Sequence, residues 1–155
     1  MSYFAIQVKR TRTVCVTNDR GGVFVLYNCS RISTLLNQFQ HKLNTGYYPP
    51  PPCHLDFTTL TKQEEWELVF VYLLCYPGVV QSCVAGGRLS PNLMCKFIKE
   101  LTNCFSVYYR RIRILTESRS HLLPVMFARL HLLRAVQTVL HSALSYLGIS
   151  PVTSM

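Results

Sequence analysis

The sequence predicts an all-α fold: a helical bundle with a short N-terminal extension that is irregular or a β-hairpin. Apolar residues recur at steps of three and four through most of the chain after residue 23, and helix-start and helix-stop residues separate these stretches. A chain of 155 residues, 49% of them hydrophobic, can bury one core and is too short for two ordinary domains. We therefore expect one helical domain over residues 23–155 and an extension over residues 1–22.

The extension shows the alternation of β-strands. Apolar residues at 4, 6 and 8 and at 14 and 16 alternate with polar ones, and residues 18–22 have turn chemistry. Two short strands are not stable alone. Residues 1–22 are therefore interpreted as the edge or remnant of a larger unit.

Residues 24–43 are predicted to form the first helix. They carry an apolar stripe and, beside it, a polar stripe with the same spacing, formed by Tyr27, Arg31, Thr34 and Gln38. Four consecutive prolines at residues 49–52 then predict a stiff, exposed linker in polyproline conformation. A proline-rich stretch of this kind can also be a ligand for SH3-type domains.

The next helix is predicted to be the central one. Thr61 and Glu64 have capping-box spacing, and the helix that they begin is apolar on every face after Leu68. Pro77 ends it, and a short helix over residues 79–85 follows. The apolar run of residues 68–80 is shorter than the roughly 20 residues of a transmembrane helix, so we expect it to be buried in the bundle.

Two further helices complete the bundle. Ser90 and Pro91 begin one that runs to about Leu115, and the last starts near Pro124 and ends at Gly148. Along the side of the first of these that faces away from the core, one line carries four positive charges, from Lys96, Lys99, Arg110 and Arg113. The core residues predicted from intersecting apolar stripes are Trp66, Phe70, Leu101, Phe105, Leu133 and Leu140.

Composition narrows the class of partner. Sixteen Lys and Arg against seven Asp and Glu give a net charge of +9, which favours polyanions such as nucleic acid or an anionic membrane surface. The seven cysteines are odd in number and form no C-x-x-C pair, which indicates reduced thiols filling core space in an intracellular protein. No catalytic, phosphate-binding or zinc motif is present, so we expect no cofactor and no metal.

Aromatic residues stand beside the positive charges. Tyr109 precedes Arg110 and lies near Arg113, and Tyr27 is one turn from Arg31. Arginines neutralise phosphates, while tyrosine rings and guanidinium planes stack on splayed bases, a combination suited to single-stranded RNA. The alternative is that the tyrosines complete the edge of the core.

Four segments resemble, in order, the C-terminal anticodon-binding domain of arginyl-tRNA synthetases, the DALR family. They are VFVLYNCSRISTLL, LTKQEEWELVFVYLLCYPGVV, SPNLMCKFIKELTNCFSVYYRRIRIL and ARLHLLRAVQTVLHSALSYLGISPVTSM. The name-giving tetrapeptide is replaced approximately by FARL at residues 127–130. Where the family has Gln-Tyr-Ala-His-Ala-Arg-Ile, residues 26–32 keep Tyr27 and Arg31.

The resemblance implies a tRNA-binding face and no catalysis. Tyr27, Tyr109, Met155 and the position of Arg113 match places from which the family contacts the anticodon loop, and the flexible, polarisable side chain of methionine can cover a base. The His-Ile-Gly-His and Lys-Met-Ser-Lys-Ser signatures of class I synthetases are absent. The candidate tRNA-binding residues are Tyr27, Arg31, Tyr109, Arg110, Arg113 and Met155.

The resemblance further implies a cytoplasmic adaptor. Some animal members of the family lack synthetase activity. Resemblance to them implies that this chain is a subunit that presents arginine tRNA to a methyltransferase, which forms 3-methylcytosine in the anticodon loop. The alternatives are a helical protein-interaction module without RNA binding and a fragment of an arginine-tRNA ligase. A basic membrane-surface protein is a weaker alternative, because the helices need their apolar faces for the core.

Overall fold

The computed structural model describes residues 21–85 and 90–152, and in these ranges the chain is α-helical with connecting loops. The all-α prediction is confirmed. The strands predicted within residues 1–22 and the predicted site residue Met155 lie outside the described residues, although Gly22 already belongs to the first helix. The helices are α1 (Gly22–Asn44), α2 (Gln63–Glu67), α3 (Tyr76–Val84), α4 (Pro91–Arg111) and α5 (Leu123–Tyr146).

Two shorter elements complete this part of the chain. A 3₁₀ turn, Phe57–Thr59, precedes α2, and a π-helical segment, Leu68–Leu73, extends α2 towards α3. The π-helical register is visible where the backbone N–H of Leu74 donates to the carbonyl of Val69, 2.9 Å away.

The three long helices α1, α4 and α5 form the core. The first turns of α1 and α4 meet the last turn of α5 around one cavity, so α1 and α4 run parallel and α5 runs antiparallel to both. At the other end the rings of Phe39 and Phe127 meet edge to face, with centroids 6.2 Å apart. Four of the predicted core residues are fully buried, as expected: Leu101, Phe105, Leu133 and Leu140.

For the helix that follows the proline-rich linker, the sequence prediction chose the wrong buried face. Trp66 is 37% exposed and Phe70 56% exposed, and Leu74 continues their stripe one turn further on. Leu68 and Tyr72 face the core instead. The expectation that residues 68–80 form a buried central helix is therefore also wrong.

The exposed stripe is nonetheless ordered by local contacts. The indole Nε1–H of Trp66 donates to the carbonyl of Leu60, 2.9 Å away, and its ring stacks on Phe70 with centroids 5.6 Å apart. Two helical segments, Gln63–Val84 and Leu123–Tyr146, are long and apolar enough to cross a membrane by length and composition. In the second case the apolar character is explained by the core position of α5.

Three helix boundaries differ from the sequence prediction. Pro77 does not end a helix but lies in the first turn of α3, which starts at Tyr76. The capping carboxylate at the start of α2 is Glu65, not Glu64; its Oε2 accepts the backbone N–H of Lys62 at 2.9 Å. Helix α4 ends at Arg111, so Arg113 lies in the following loop. The predicted stop of α5 is confirmed: Gly148 has φ 70°, and the N–H of Ile149 donates to the carbonyl of Leu144 at 3.0 Å.

The cysteines only partly fill the core. The described cysteines are free thiols, of which Cys29 is buried while Cys53, Cys75 and Cys95 are exposed, contrary to the prediction for these three. Burial raises the pKa of Cys29 to about 11 and is the largest cause that raises the pKa of Cys104 to about 12. Both groups therefore stay protonated, weakly nucleophilic thiols at neutral pH.

Truncating the core is expected to cost far more than truncating the exposed stripe. Leu133→Ala should lower the free energy of unfolding by about 2 to 5 kcal/mol, because it removes buried methyl groups and leaves a cavity. Phe70→Ala, at an exposed position, should cost less than about 1 kcal/mol. Equilibrium urea unfolding of both variants measures the difference. Equal losses would contradict the exposure of Phe70 in the π-helical segment that follows α2.

Candidate nucleic-acid interface

The guanidinium group of Arg31 lies between two tyrosine rings. Its Cζ atom is 4.0 Å from the ring centroid of Tyr109 and 5.2 Å from that of Tyr27. Helix α1 supplies Tyr27 and Arg31 one turn apart, and α4 supplies Tyr109 from its last turn. The structure thus joins three of the predicted site residues through cation–π contacts, and Tyr27 remains 46% exposed.

The adjacent tyrosines of α4 have different roles. Tyr108 is fully buried, and its hydroxyl donates to Oε1 of Glu65 at 3.2 Å. Tyr109 is half-buried and rests on the buried ring of Phe105, with centroids 5.7 Å apart. The alternative that these tyrosines only complete the core therefore applies to Tyr108, whereas Tyr109 faces Arg31 at the surface.

Arg110 and Arg113 follow Tyr109 in the chain without forming the predicted helical line. Arg110 is exposed at the end of α4, and its Nε donates to the carbonyl of Ser106 at 3.4 Å. Arg113 is exposed in the loop after α4, where its Nε donates to the carbonyl of Leu115 at 3.2 Å. The prediction of one continuous basic line is wrong, because α4 ends at Arg111 and Arg113 is therefore not on the helix that carries Lys96, Lys99 and Arg110.

The positively charged side chains divide into those that pair with a carboxylate in the described ranges and those that do not. Three arginines in the described ranges pair with carboxylates at 2.7 Å: Arg111 with Glu64, Arg119 with Glu117 and Arg129 with Glu65. Within the same ranges, no carboxylate lies in ion-pair contact with four other cations: Arg31, Lys42, Arg110 and Arg113. These uncompensated charges suit phosphate groups.

A second cation–π cluster, which the sequence analysis missed, follows the end of α1. Lys42 Nζ is 5.1 Å from the ring centroid of Tyr47 and 5.6 Å from that of Tyr48. Burial, together with the neighbouring Tyr47, raises the pKa of Tyr48, and the positive charge of Arg113 opposes that rise. Lys42 was detectable, since it stands four residues after Gln38 on the polar stripe of α1.

A buried ion pair holds α4, which carries Tyr109, against α2 and α5. Glu65 is fully buried, and its Oε1 accepts from Arg129 Nε at 2.7 Å as well as from the Tyr108 hydroxyl. Burial and the Glu65 charge raise the pKa of Tyr108. Arg129, within the FARL tetrapeptide, also donates from Nη1 to the carbonyl of Arg113 at 3.4 Å. One network thus joins α2, α4 and α5 and anchors the loop of Arg113.

The described ranges contain no group of three or more His, Cys, Asp or Glu side chains that could hold a metal ion. Met155 lies outside these ranges, so its placement beside the tyrosines stays a prediction.

Comparison with known proteins identifies related sequences. The profile of the DALR anticodon binding domain matches residues 25–155. DALR anticodon-binding domain-containing protein 3 of Danio rerio is 36% identical over 97% of this chain and 29% of its own length. The protein of the same name from Mus musculus is 40% identical over 91% of this chain and 28% of its own length.

Arginine-tRNA ligases are also similar. The enzyme of Treponema pallidum is 30% identical over 93% of this chain and 24% of its own length. The chain therefore spans less than a third of the length of these curated relatives. The family resemblance predicted from the four sequence segments is confirmed.

Proposed function

Because the chain belongs to the DALR anticodon-binding domain family, we propose that it is a non-catalytic domain that binds tRNA at the anticodon loop. The observation that carries the proposal is the placement of Arg31 between Tyr27 and Tyr109. It creates a surface on which aromatic rings lie beside a cation that has no carboxylate partner in the described ranges, and the core holds in place the two helices that supply them.

The chemistry of this surface fits unpaired nucleotides. Exposed tyrosine rings stack on bases, each stack contributing about 1 to 3 kcal/mol, and bases in a duplex are not available for such stacking. Arg110 and Arg113, which have no carboxylate partner in the described ranges, neutralise phosphates of the same strand. The anticodon loop presents unpaired bases and phosphates together, which is why we propose it as the ligand.

The finer part of the proposal is an adaptor role in the cytoplasm. The domain presents arginine tRNA to a methyltransferase that forms 3-methylcytosine, and it uses no cofactor of its own. Relatives named arginine-tRNA ligase support arginine tRNA as the ligand, and the match of residues 25–155 to an anticodon binding domain supports a role in tRNA recognition.

Binding to tRNA at several salt concentrations tests the proposal. The full chain should bind an arginine tRNA and its isolated anticodon stem-loop more tightly than a fully paired RNA duplex of equal length. The logarithm of the binding constant should fall linearly with the logarithm of the salt concentration, because binding releases counterions from the RNA.

Two controls distinguish the alternatives. Anionic liposomes bound more tightly than tRNA would favour a membrane-surface protein. Equal, weak binding to stem-loop and duplex would favour a protein-interaction module whose charges serve only solvation. A comparison of arginine tRNA with other tRNAs tests the specificity for arginine tRNA independently of the proposal that the chain binds tRNA.

A further inference from the structure

We propose that Lys42 and Tyr47 form a second contact for single-stranded RNA, beyond the cluster of Tyr27, Arg31 and Tyr109. The inference rests on the proposed function, because it assigns an additional stretch of the same ligand. Lys42 and Tyr47 repeat the arrangement of Arg31 and its tyrosines, with a cation 5.1 Å from the ring centroid of an exposed tyrosine.

The two clusters lie along one side of α1. Tyr27, Arg31, Thr34, Gln38 and Lys42 follow one another at steps of three and four, so they share a helix face. Arg31 and Lys42 are therefore separated by about 16 Å along the helix axis, at a rise of about 1.5 Å per residue. A strand that contacts both clusters must extend over several nucleotides.

The ring of Tyr47 is held in place before any ligand binds. After α1 the chain turns at Gly46, which has φ 74°, and the backbone N–H of Tyr47 donates to the carbonyl of Lys42 at 2.9 Å. Tyr47 then meets Tyr48 edge to face at 4.9 Å, and Tyr48 is buried and stacks on Phe39 at 5.7 Å. Such preorganisation lowers the entropy lost on stacking with a base.

Charge at this end of α1 matches a phosphate ligand. Within the described ranges Lys42 has no carboxylate partner, and its nearest aromatic neighbours are Tyr47 and Tyr48. The Tyr48 hydroxyl donates to the carbonyl of Thr116, which brings the loop that carries Arg113 against the same cluster. A structural explanation also exists, since a lysine in the last turn of a helix stabilises its C-terminus.

Two single-stranded RNAs separate these explanations: a trinucleotide, which can reach one cluster, and a decanucleotide, which can reach both. Tyr47→Ala should weaken binding of the decanucleotide about 5- to 100-fold, as expected for a lost base stack, and should have a smaller effect on the trinucleotide, which still binds at the cluster of Tyr27, Arg31 and Tyr109. Lys42→Gln should lower the salt slope for the decanucleotide by about 1. Tyr47→Phe, which keeps the ring, should bind like the unmodified chain.

Lys96→Gln is the matched control, because Lys96 is also exposed but lies in the first turns of α4, far from Tyr109 along that helix. It should change neither affinity, and melting temperatures should confirm that all variants fold. Failure of the unmodified chain to bind the anticodon stem-loop would overturn the proposed function itself, whereas binding of the stem-loop without binding of the decanucleotide would overturn this inference. Binding of both RNAs with no effect of Tyr47→Ala or Lys42→Gln would overturn this inference alone and leave Lys42 a helix-stabilising role.

Discussion

Arg129→Ala is expected to lower the free energy of unfolding by about 3 to 5 kcal/mol, the largest stability effect that the structure predicts. The side chain of Arg129 is 12% exposed and that of Glu65 is fully buried. Without Arg129, the donors that the described residues leave to the Glu65 carboxylate are neutral: the Tyr108 hydroxyl and the Lys62 backbone N–H. A buried carboxylate without a cation is strongly destabilised, and equilibrium urea unfolding measures the loss.

An exposed ion pair supplies the matched control. Arg111 pairs with Glu64 at the same distance of 2.7 Å, but its side chain is 69% exposed. Solvent screening reduces such pairs to about 0 to 1 kcal/mol, so Arg111→Ala should have a small effect. If Arg129→Ala destabilised the chain no more than Arg111→Ala, the buried network would not hold the helices together.

A double substitution separates the ion pair from its surroundings. Glu65→Leu together with Arg129→Met removes both charges and retains apolar volume, so most of the loss should be recovered. Recovery should be incomplete by about 1 kcal/mol, since Glu65 also caps the backbone N–H of Lys62. A double variant as unstable as Arg129→Ala would indicate that packing, not the unpaired charge, causes the loss.

Tyr109→Ala is expected to cause the largest loss of RNA affinity among single substitutions in the first cluster, about 1 to 3 kcal/mol in binding free energy. The substitution removes a ring and also the contact that orients Arg31, whose Cζ lies 4.0 Å from the ring centroid. Tyr109→Phe retains both and should bind nearly as well as the unmodified chain. Isothermal titration with the anticodon stem-loop measures the three affinities.

The coupling between the two residues is testable separately. Because Arg31 and Tyr109 are in contact, the effects of Arg31→Ala and Tyr109→Ala should not add in the double variant. Tyr146→Ala, at a 65% exposed position in the last turn of α5, controls for the loss of a surface tyrosine and should leave affinity unchanged. Unaltered affinity in folded Tyr109→Ala and Arg31→Ala variants would favour the protein-interaction module.

The sequence by itself determined the features that depend on neighbours in the chain. Ser90 and Pro91 marked the start of α4, Gly148 marked the end of α5, and both ends lie where local backbone chemistry places them. The polar stripe of α1 followed from helical spacing alone, and it placed Tyr27 and Arg31 one turn apart. Such features need no knowledge of what the helix packs against.

Tertiary structure decided the rotation of α2 and the composition of the site. Helix α2 and its π-helical extension are apolar on several faces, so spacing alone could not choose the buried one. The choice follows Glu65, whose carboxylate faces inward because Tyr108 and Arg129 arrive from other helices, and Trp66 is consequently turned outward. Arg31 likewise meets Tyr109 only because the core holds α1 parallel to α4. Contacts between residues distant in sequence depend on how the helices pack, and helical periodicity within each segment carries no record of that packing.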